Sequence, residues 1–440
     1  MKLRPPRLTA DLTPYRASRD LRLLVLGNFV SGMGTQATLV ALPFQVYVQT
    51  RSPLLTGLLG AAEIVPLVAL ALVGGALADR FDRRRLLLAD QVALVAIAGA
   101  LWLAAVLGHP PVGALYVLAG LLAGFGAIQN VTRSAIIPNV VAPEHIRSAL
   151  AVNFGLYQLT MVLGPGLGGL LISAGGVQAA YLVDAVSCAA MVGAALAMAP
   201  QVPHGEHAER AAYATIADQD RSANGGVAGI GSSIAEGLRF VRGNRALLGS
   251  FAIDLVAMTF GMPRALFPVL AVGVYGAGAS GTGLLFAAVS AGATVAALTT
   301  RWLEHVRRLG LIVIGAVIVW GLAVAAAGLV SSLWPAAALL AVAGAADSVS
   351  AVCRSVINQT VTPDAMRGRM SSVFSLVVTS GPRLGDIEAG VVASLTSARF
   401  SMASGGLACV AGVGLIALAF PQLAAYDAER VIEAPVGFPS

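Results

Sequence analysis

Charge is the scarcest property of this chain. Only 11% of its 440 residues are Asp, Glu, Lys or Arg, against about 25% in a typical soluble domain, and Lys2 is its only lysine. With 57% hydrophobic residues and a mean hydropathy of +0.81, a soluble globular protein is excluded. The composition predicts a polytopic membrane protein.

Cysteine is also scarce, and the usual chemical motifs are missing. Cys188, Cys353 and Cys409 all lie in apolar runs, which gives neither a disulfide framework nor metal-ligand spacing. There is no GxxxxGK[ST] loop for a nucleotide phosphate. The formal charge of +6 comes from arginines scattered between apolar runs, so it does not indicate nucleic-acid binding. We therefore expect no enzyme activity, cofactor, metal or nucleic-acid partner.

The apolar runs predict an all-α membrane protein of twelve spans, since one helix needs about 20 apolar residues to cross a bilayer. The spans lie near 21–47, 54–78, 86–107, 112–139, 149–174, 176–199, 247–272, 280–299, 309–330, 333–359, 372–397 and 400–421. This gives a tail (1–20), a six-helix bundle (21–199), a linker (200–245), a second bundle (246–422) and a tail (423–440). From Ser233 the linker predicts an amphipathic helix on the membrane surface; an extension of span seven fits the same residues.

Basic residues predict the orientation. If the N-terminus is cytoplasmic, all but six of the 28 fall in or beside cytoplasmic segments. The six exceptions are Arg133, Arg264, Arg354 and Arg383 within spans and Arg51 and Arg399 outside. Because cytoplasmic loops are enriched in Arg and Lys, we expect a multi-pass protein of the cell membrane (plasma or inner) with both termini in the cytoplasm.

The two halves of the chain repeat each other. RSAIIPNVVAPEHIRSALAVNF, from Arg133, recurs as RSVINQTVTPDAMRGRMSSVF, from Arg354, and GPGLGG at Gly164 recurs as GPRLGD at Gly381. A six-span repeat predicts two pseudo-symmetric bundles with a cavity between them.

Two motifs resemble those of major facilitator superfamily transporters. The first is the charged loop GALADRFDRRRLL between spans two and three, and the second is GPGLGG in span five, which is similar to an element of the superfamily's antiporters. The resemblance covers about residues 20–422 and implies two six-helix bundles. It implies a gating role for the loop residues Gly75, Asp79, Arg80, Arg83 and Arg84. It implies a sealing role for Gly164, Pro165, Gly168 and Gly169.

Each motif also has a simpler interpretation. The resemblance implies that Asp79 latches onto the start of span eleven, near Ser371. The simpler interpretation of the loop is a charge cluster that sets the topology, which explains much of Arg83 to Arg85. The span-five glycines also suit ordinary close packing of helices. The loop departs from the family in having Asp82 where glycine is usual, and span four lacks the family's arginine near GLLAG.

Four phrases resemble the branch that contains drug-efflux pumps and enterobactin-type siderophore exporters: VALPFQVYVQT, GGALADRFDRRRLLL, YLVDAVSCAA and GMPRALFPVL. The resemblance implies a secondary active exporter that exchanges drug-like or siderophore-like molecules for protons by alternating access. Two alternatives stay open: proton-coupled uptake of a metabolite, and a membrane sensor or scaffold that does not transport. We expect small-molecule, proton and lipid partners and a monomer.

Charges inside spans are the strongest functional signal, because each costs at least about 2.5 kcal/mol at the centre of a helix unless it is paired or hydrated. A carboxylate in a low-dielectric cavity takes up a proton more readily, and a nearby arginine opposes this. The proton-coupling candidates are Asp254 and Asp386, followed by Glu63 and Asp347. Arg383 and Asp386 are three apart on one helix, so they can pair. Arg133 and Arg354 lie nearer the cytoplasmic ends, where they can snorkel. Structural neutralisation of arginine is the alternative role for each acid.

A last group of polar or large residues is expected to line the substrate cavity. Its members are Gln36, Gln129, Asn130, Tyr157, Gln158, Met258 and Arg383. The apolar residues around them favour an amphiphilic organic solute over a sugar.

Overall fold

A computed structural model describes residues 15, 18–142, 145–201, 236, 239–362 and 366–426. This part of the chain is helical and contains no strand. Most of the predicted tails and most of the linker lie outside it. Residues 239–243 of the predicted amphipathic segment are helical.

The helices coincide with the predicted spans. The first half contains α1 (Arg19–Thr50), α2 (Pro53–Arg80), α3 (Arg83–Val106), α4 (Val112–Val140) and α5 (Ile146–Ala197). The second half contains α6 (Arg245–Phe260), α7 (Leu266–Gly273), α8 (Gly278–Thr299), α9 (Leu309–Leu329), α10 (Leu333–Val361), α11 (Arg367–Leu395), α12 (Ala398–Ala419) and the short α13 (Pro421–Ala424). Spans five and six share α5, and span seven is divided between α6 and α7.

Nine of the described helices are long and apolar enough to cross a membrane. The long α5 counts once among these nine although it carries two spans. Span seven is not among the nine because each of its two helices is too short to cross a membrane. Helix α11 is not among them because polar residues such as Arg383 and Asp386 interrupt its apolar sequence. Both exceptions lie where the chain carries intramembrane charge.

Two glycines reverse the chain inside α5. Gly175 has φ −138° and ψ 16°, and Gly176 has φ 72° and ψ 179°. This second conformation is open essentially to glycine alone. The turn divides α5 where the sequence predicts the boundary between spans five and six.

The break in span seven is not predicted by the sequence pattern, which reads as one apolar run. Residues 261–265 separate α6 from α7, and Pro263 has no N–H to continue a helix. Side chains from α9 and α11 form hydrogen bonds with backbone groups at this break. The Trp320 indole Nε1 donates to the Gly261 carbonyl at 2.7 Å, and the Ala265 N–H donates to the Asp386 carboxylate at 2.8 Å.

The described chain forms two compact units. Unit 1 comprises Met1–Ala41 and Pro66–Ser222, and unit 2 comprises Leu42–Val65 and Ala223–Ser440. The end of α1 and the beginning of α2 thus belong to the unit that contains the second half.

The repeated glycine motif makes equivalent contacts within each unit. In unit 1, a Cβ added at Gly168 would lie 2.8 Å from Ala37 Cα on α1. In unit 2, a Cβ added at Gly385 would lie 2.7 Å from the Met258 carbonyl oxygen on α6. Both motifs therefore bring two helix backbones close together, span five onto span one and span eleven onto span seven. The repeat seen in the sequence is a repeat of packing.

The core of unit 2 combines large buried side chains with further close helix crossings. Trp320 and Phe267 are nearly fully buried, and the Phe267 and Phe286 rings meet edge to face at 4.9 Å. Small residues let α8 and α10 approach, because a Cβ added at Gly344 would overlap the Val289 carbonyl oxygen. The large side chains fill the space around these close helix crossings.

Candidate functional site

Among the described residues, the most deeply buried ion pair is formed by Asp254 of α6 and Arg354 of α10. Their Oδ1 and Nη2 atoms lie 2.8 Å apart, and each side chain is 2% exposed. A second acid, Asp347, lies on α10 itself. It is 3.8 Å from the same guanidinium and 21% exposed. Arg354 Nη1 also donates to the Ser350 hydroxyl at 3.1 Å. Two acids and one cation thus share one site, which we call the Arg354 trio.

A second group of charges, the Arg383 network, joins α2, α11 and the span-seven break within unit 2. Arg383 Nε donates to Glu63 Oε2 at 3.2 Å, and Arg383 Nη1 donates to the Thr379 carbonyl. Asp386 lies 3.8 Å from Arg264 and also accepts the Ala265 N–H. The carboxylate therefore stabilises the N-terminal end of α7, where an anion is favoured. The network balances two acids with two arginines.

These contacts correct two predictions. Arg383 and Asp386 do not form the pair that their spacing along α11 allows. Arg383 pairs with Glu63 of α2. Asp386 pairs with Arg264 in the break of span seven. Arg354 does not snorkel, because the Asp254 carboxylate holds it inside unit 2. The strong attraction of opposite charges in a low-dielectric interior outweighs what the arginine would gain by reaching the membrane surface.

Unit 1 contains a buried acid that the sequence analysis passed over. Asp184, on the second half of α5, is fully buried, and its Oδ1 accepts from the Thr35 hydroxyl of α1 at 3.1 Å and from Cys188 Sγ at 3.4 Å. In the sequence, the segment YLVDAVSCAA served only as evidence for a family resemblance. The aspartate within this largely apolar segment is the signal that could have revealed the site.

In the charged loop after α2, the described side chains bind other helices. Asp82 caps α3 by accepting from the Arg84 N–H at 2.9 Å and also accepts the Gln201 N–H at 3.0 Å. Arg83 Nη1 donates to the Ala135 carbonyl of α4 at 2.9 Å. Arg84 Nε donates to the Ala195 carbonyl, at the end of α5, at 2.8 Å. Asp82, Arg83 and Arg84 therefore join α3, α4 and α5.

Other residues predicted for this gate lie outside the described side chains. Gly75, Asp79 and Arg80 belong to the last turns of α2, but only their backbone is described. The same holds for Ser371, where Asp79 was expected to latch. The latch stays a prediction.

The span-five element lies against α1. A Cβ added at Gly164 would lie 2.5 Å from Gln36 Cβ. Pro165 and Gly169, in the same element, are also buried. The element is therefore a close helix crossing within unit 1, and its sealing role stays a prediction.

The predicted cavity residues differ in exposure. Asn130 and Tyr157 are exposed, Gln158 is half-buried, and Gln129 is buried. Gln36 Nε2 contacts Met161 Sδ at 3.3 Å. Met258 is 6% exposed and packs under Gly381. Arg383 belongs to the Arg383 network. That these residues line a substrate cavity stays a prediction.

Among the described residues, no group of three or more His, Cys, Asp or Glu side chains is arranged to hold a metal ion. The buried polar side chains of this part of the chain include carboxylates, a guanidinium group, hydroxyls and amides such as those of Gln91 and Gln129. Ionisable side chains inside a membrane commonly mark ion and proton pathways.

Comparison with known proteins identifies the family. Residues 9–436 match the family model described as transmembrane secretion effector. The chain is 30% identical over 415 residues to the enterobactin exporter EntS of Shigella boydii serotype 4, covering 92% of this chain and 93% of that protein. It is also 30% identical over 414 residues to EntS of Citrobacter koseri, covering 92% and 91%.

Solved structures with a similar fold are also transporters. A POT family transporter bound to a thioalcohol-conjugated peptide matches with a TM-score of 0.70 at 11% identity, over 92% of this chain and 96% of that one. A bacterial homologue of the human lysosomal transporter Spinster matches with a TM-score of 0.65 at 17% identity, over 95% and 98%. At these identities the likeness shows the fold alone, which is that of the major facilitator superfamily. The chain belongs to the transmembrane secretion effector family and is a multi-pass transmembrane exporter, not an enzyme.

Proposed function

We propose that this protein exports amphiphilic organic molecules, siderophore-like or drug-like, in exchange for protons by alternating access. The observation that carries the proposal is the unequal charge balance of the two buried groups in unit 2. The relatives named above are enterobactin exporters, which supports a siderophore-like substrate. The sparse polar lining predicted from the sequence supports an amphiphilic one.

The Arg383 network has two acids and two cations, so it is neutral when every member is ionised. The Arg354 trio has two acids and one cation, so one carboxylate has no counter-charge of its own. An uncompensated carboxylate inside a membrane protein is expensive, and binding a proton removes that cost. The trio is therefore the better proton-coupling site.

Within the trio, Asp347 is the better proton acceptor. Asp254 forms the shorter contact with Arg354, and both side chains are 2% exposed. Asp347 lies 1.0 Å farther from the guanidinium, at 3.8 Å against 2.8 Å. It also borders a small cavity at the span-seven break, next to Gly261 and Trp320, with room for about one water molecule. Asp254 then serves mainly to neutralise Arg354.

The orientation and oligomeric state belong to the same proposal. The arginine distribution supports a protein of the cell membrane with both termini in the cytoplasm. Asp79 and its loop are then on the cytoplasmic side, where the latch with span eleven would act. We expect a monomer to be the transporting species. Reporter fusions at the two termini test this orientation, and a periplasmic signal from either would contradict it.

Transport can be tested in two steps. In pump-deficient cells, expression should lower the accumulation of at least one member of a panel of iron chelators, antibiotics and dyes, and a proton uncoupler should abolish this effect. In proteoliposomes, Asp347→Asn should abolish transport driven by a pH gradient but retain exchange of labelled for unlabelled substrate. Glu388→Gln, which changes a half-buried acid on α11 outside both charge groups, should retain both activities.

Each result has a clear opposite. Accumulation unchanged across the whole panel would count against export, and export insensitive to the uncoupler would count against proton exchange. If Asp347→Asn still drives uphill transport with an unchanged pH dependence, Asp347 is not the coupling acid. Loss of coupling in Asp254→Asn alone would restore Asp254 as the candidate.

A further inference from the structure

Asp184 occupies a polar site at a close crossing of α1 and the second half of α5, within unit 1. The Thr35 hydroxyl and the Cys188 thiol both donate to Oδ1, and Ser31 contacts Cys188 Sγ at 3.4 Å. A Cβ added at Gly34 would lie 2.7 Å from Asp184 Cα, so the two helix backbones nearly touch. Asp184 and Thr38 are both 0% exposed, and Thr35 is partly buried.

Two buried oxygen atoms at this site have no hydrogen-bond partner among the described residues. They are Asp184 Oδ2 and Thr38 Oγ1. Thr38 lies one turn beyond Thr35 on α1, and its hydroxyl faces the Asp184 carboxyl group. A carboxylate oxygen can only accept a hydrogen bond, whereas the same oxygen donates once it carries a proton. A proton on Oδ2 would satisfy both atoms, and so would a hydrogen bond from the Thr38 hydroxyl to an ionised Oδ2. Of these two arrangements, only the protonated one needs no counter-charge nearby.

The charges around the site favour the same assignment. No arginine, lysine or histidine of the described residues contacts Asp184. From α1 it meets only the hydroxyls of Thr35 and Thr38, and from α5 the titratable group in contact is the Cys188 thiol. This distinguishes Asp184 from the acids of the Arg354 trio and the Arg383 network, each of which lies beside an arginine. An ionised carboxylate without a cation is strongly disfavoured in such an interior.

We infer that Asp184 is a proton-binding site: it holds a proton on Oδ2, donates it to Thr38 Oγ1, and accepts from Thr35 and Cys188 on Oδ1. The neutral carboxylic acid then links α1 to α5 with every polar atom of the carboxyl group in use. The ligand is a proton, taken from water as the carboxylate becomes the acid. The inference concerns unit 1 and does not rest on the proposed exchange of substrate for protons.

Infrared spectroscopy of the full-length protein in lipid tests this directly. Near neutral pH, the wild-type spectrum should contain a carboxylic-acid C=O stretching band that is missing in Asp184→Asn. Thr38→Val, which is nearly isosteric, should shift this band to higher frequency because the acid loses its hydrogen-bond acceptor. Glu388→Gln is the matched control and should leave this band unchanged.

The variants also differ in stability. The side-chain amide that Asp184→Asn introduces can still donate to Thr38 and accept from Thr35, so this variant should unfold close to the wild-type temperature. Asp184→Leu should unfold markedly earlier. If Asp184→Asn removes a carboxylate band and leaves the acid region of the spectrum unchanged, Asp184 is ionised and the inference is wrong. Should Asp184→Asn fail to fold, the band shift in Thr38→Val decides the question, and an unshifted spectrum overturns the inference.

Discussion

Replacing Arg354 by Gln should destabilise unit 2 more than any other single removal of an arginine in the described chain. Arg354 and Asp254 are each 2% exposed and lie 2.8 Å apart, so the variant leaves a carboxylate buried without its cation. It also leaves Asp347, 3.8 Å away in the wild type, beside a second acid. Breaking a buried ion pair in this way costs about 3–5 kcal/mol, a large share of the roughly 5–15 kcal/mol that stabilises a typical domain.

The free energy of unfolding can be measured by titrating the purified protein in mild detergent with a denaturing detergent. Arg242→Gln is the matched control, because Arg242 is exposed and a change there should stay within about 0.5 kcal/mol. The double variant Asp254→Asn with Arg354→Gln removes both charges together. It should be more stable than Arg354→Gln alone, with a coupling energy of about 0.5–3 kcal/mol.

Two outcomes would refute this reasoning. One is a cost for Arg354→Gln no larger than that of Arg242→Gln, which would mean that the buried guanidinium has no compensating role. The other is a double variant whose cost equals the sum of the two single costs, which would mean that Asp254 and Arg354 do not interact.

Three further predictions concern packing and backbone satisfaction. Gly344→Ala should lower stability by about 1–3 kcal/mol, because the new methyl group overlaps a backbone carbonyl; Gly315→Ala, with open space around it, should be neutral or stabilising by up to about 1 kcal/mol in the same titration. Trp320→Phe should cost about 1–3 kcal/mol and increase hydrogen exchange at the span-seven break, since a buried carbonyl loses its donor; unchanged exchange there would contradict this. Arg84→Gln should lower the unfolding temperature by the equivalent of about 1 kcal/mol, whereas Arg85→Gln, at an exposed position, should not; equal effects would indicate a purely topological role for both.

The order and approximate positions of the spans could be predicted from the sequence, because length and hydropathy largely decide which segments cross a membrane. The internal repeat was also visible, and it extends to packing, since Gly168 and Gly385 make the same type of crossing. The break at residues 261–265 was not predicted. It depends on Trp320 and Asp386, which come from helices far along the chain and satisfy its backbone groups.

The buried charges were found in the sequence, but their partners were not. Hydropathy shows that Glu63 and Arg383 interrupt apolar segments, yet only the packing of α2 against α11 shows that they meet at 3.2 Å. Asp184 was not chosen as a proton-coupling candidate, and its hydrogen-bond partners could not be predicted, because hydroxyl and thiol groups do not stand out among small residues. Spacing along one helix favoured the pair Arg383 and Asp386, whereas contacts between helices decided otherwise.

The glycine turn of α5 has a mechanical consequence. It joins spans five and six at one end, and each of the two then packs onto α1, one through Gly164 and the other through Asp184. The two spans, linked by the turn and each held to α1, form a closed frame, which cannot shear unless one of its contacts breaks. Because packed interiors switch between discrete arrangements instead of deforming continuously, this frame acts as a rigid lever. Any displacement that accompanies transport must then be absorbed by bending elsewhere in the chain.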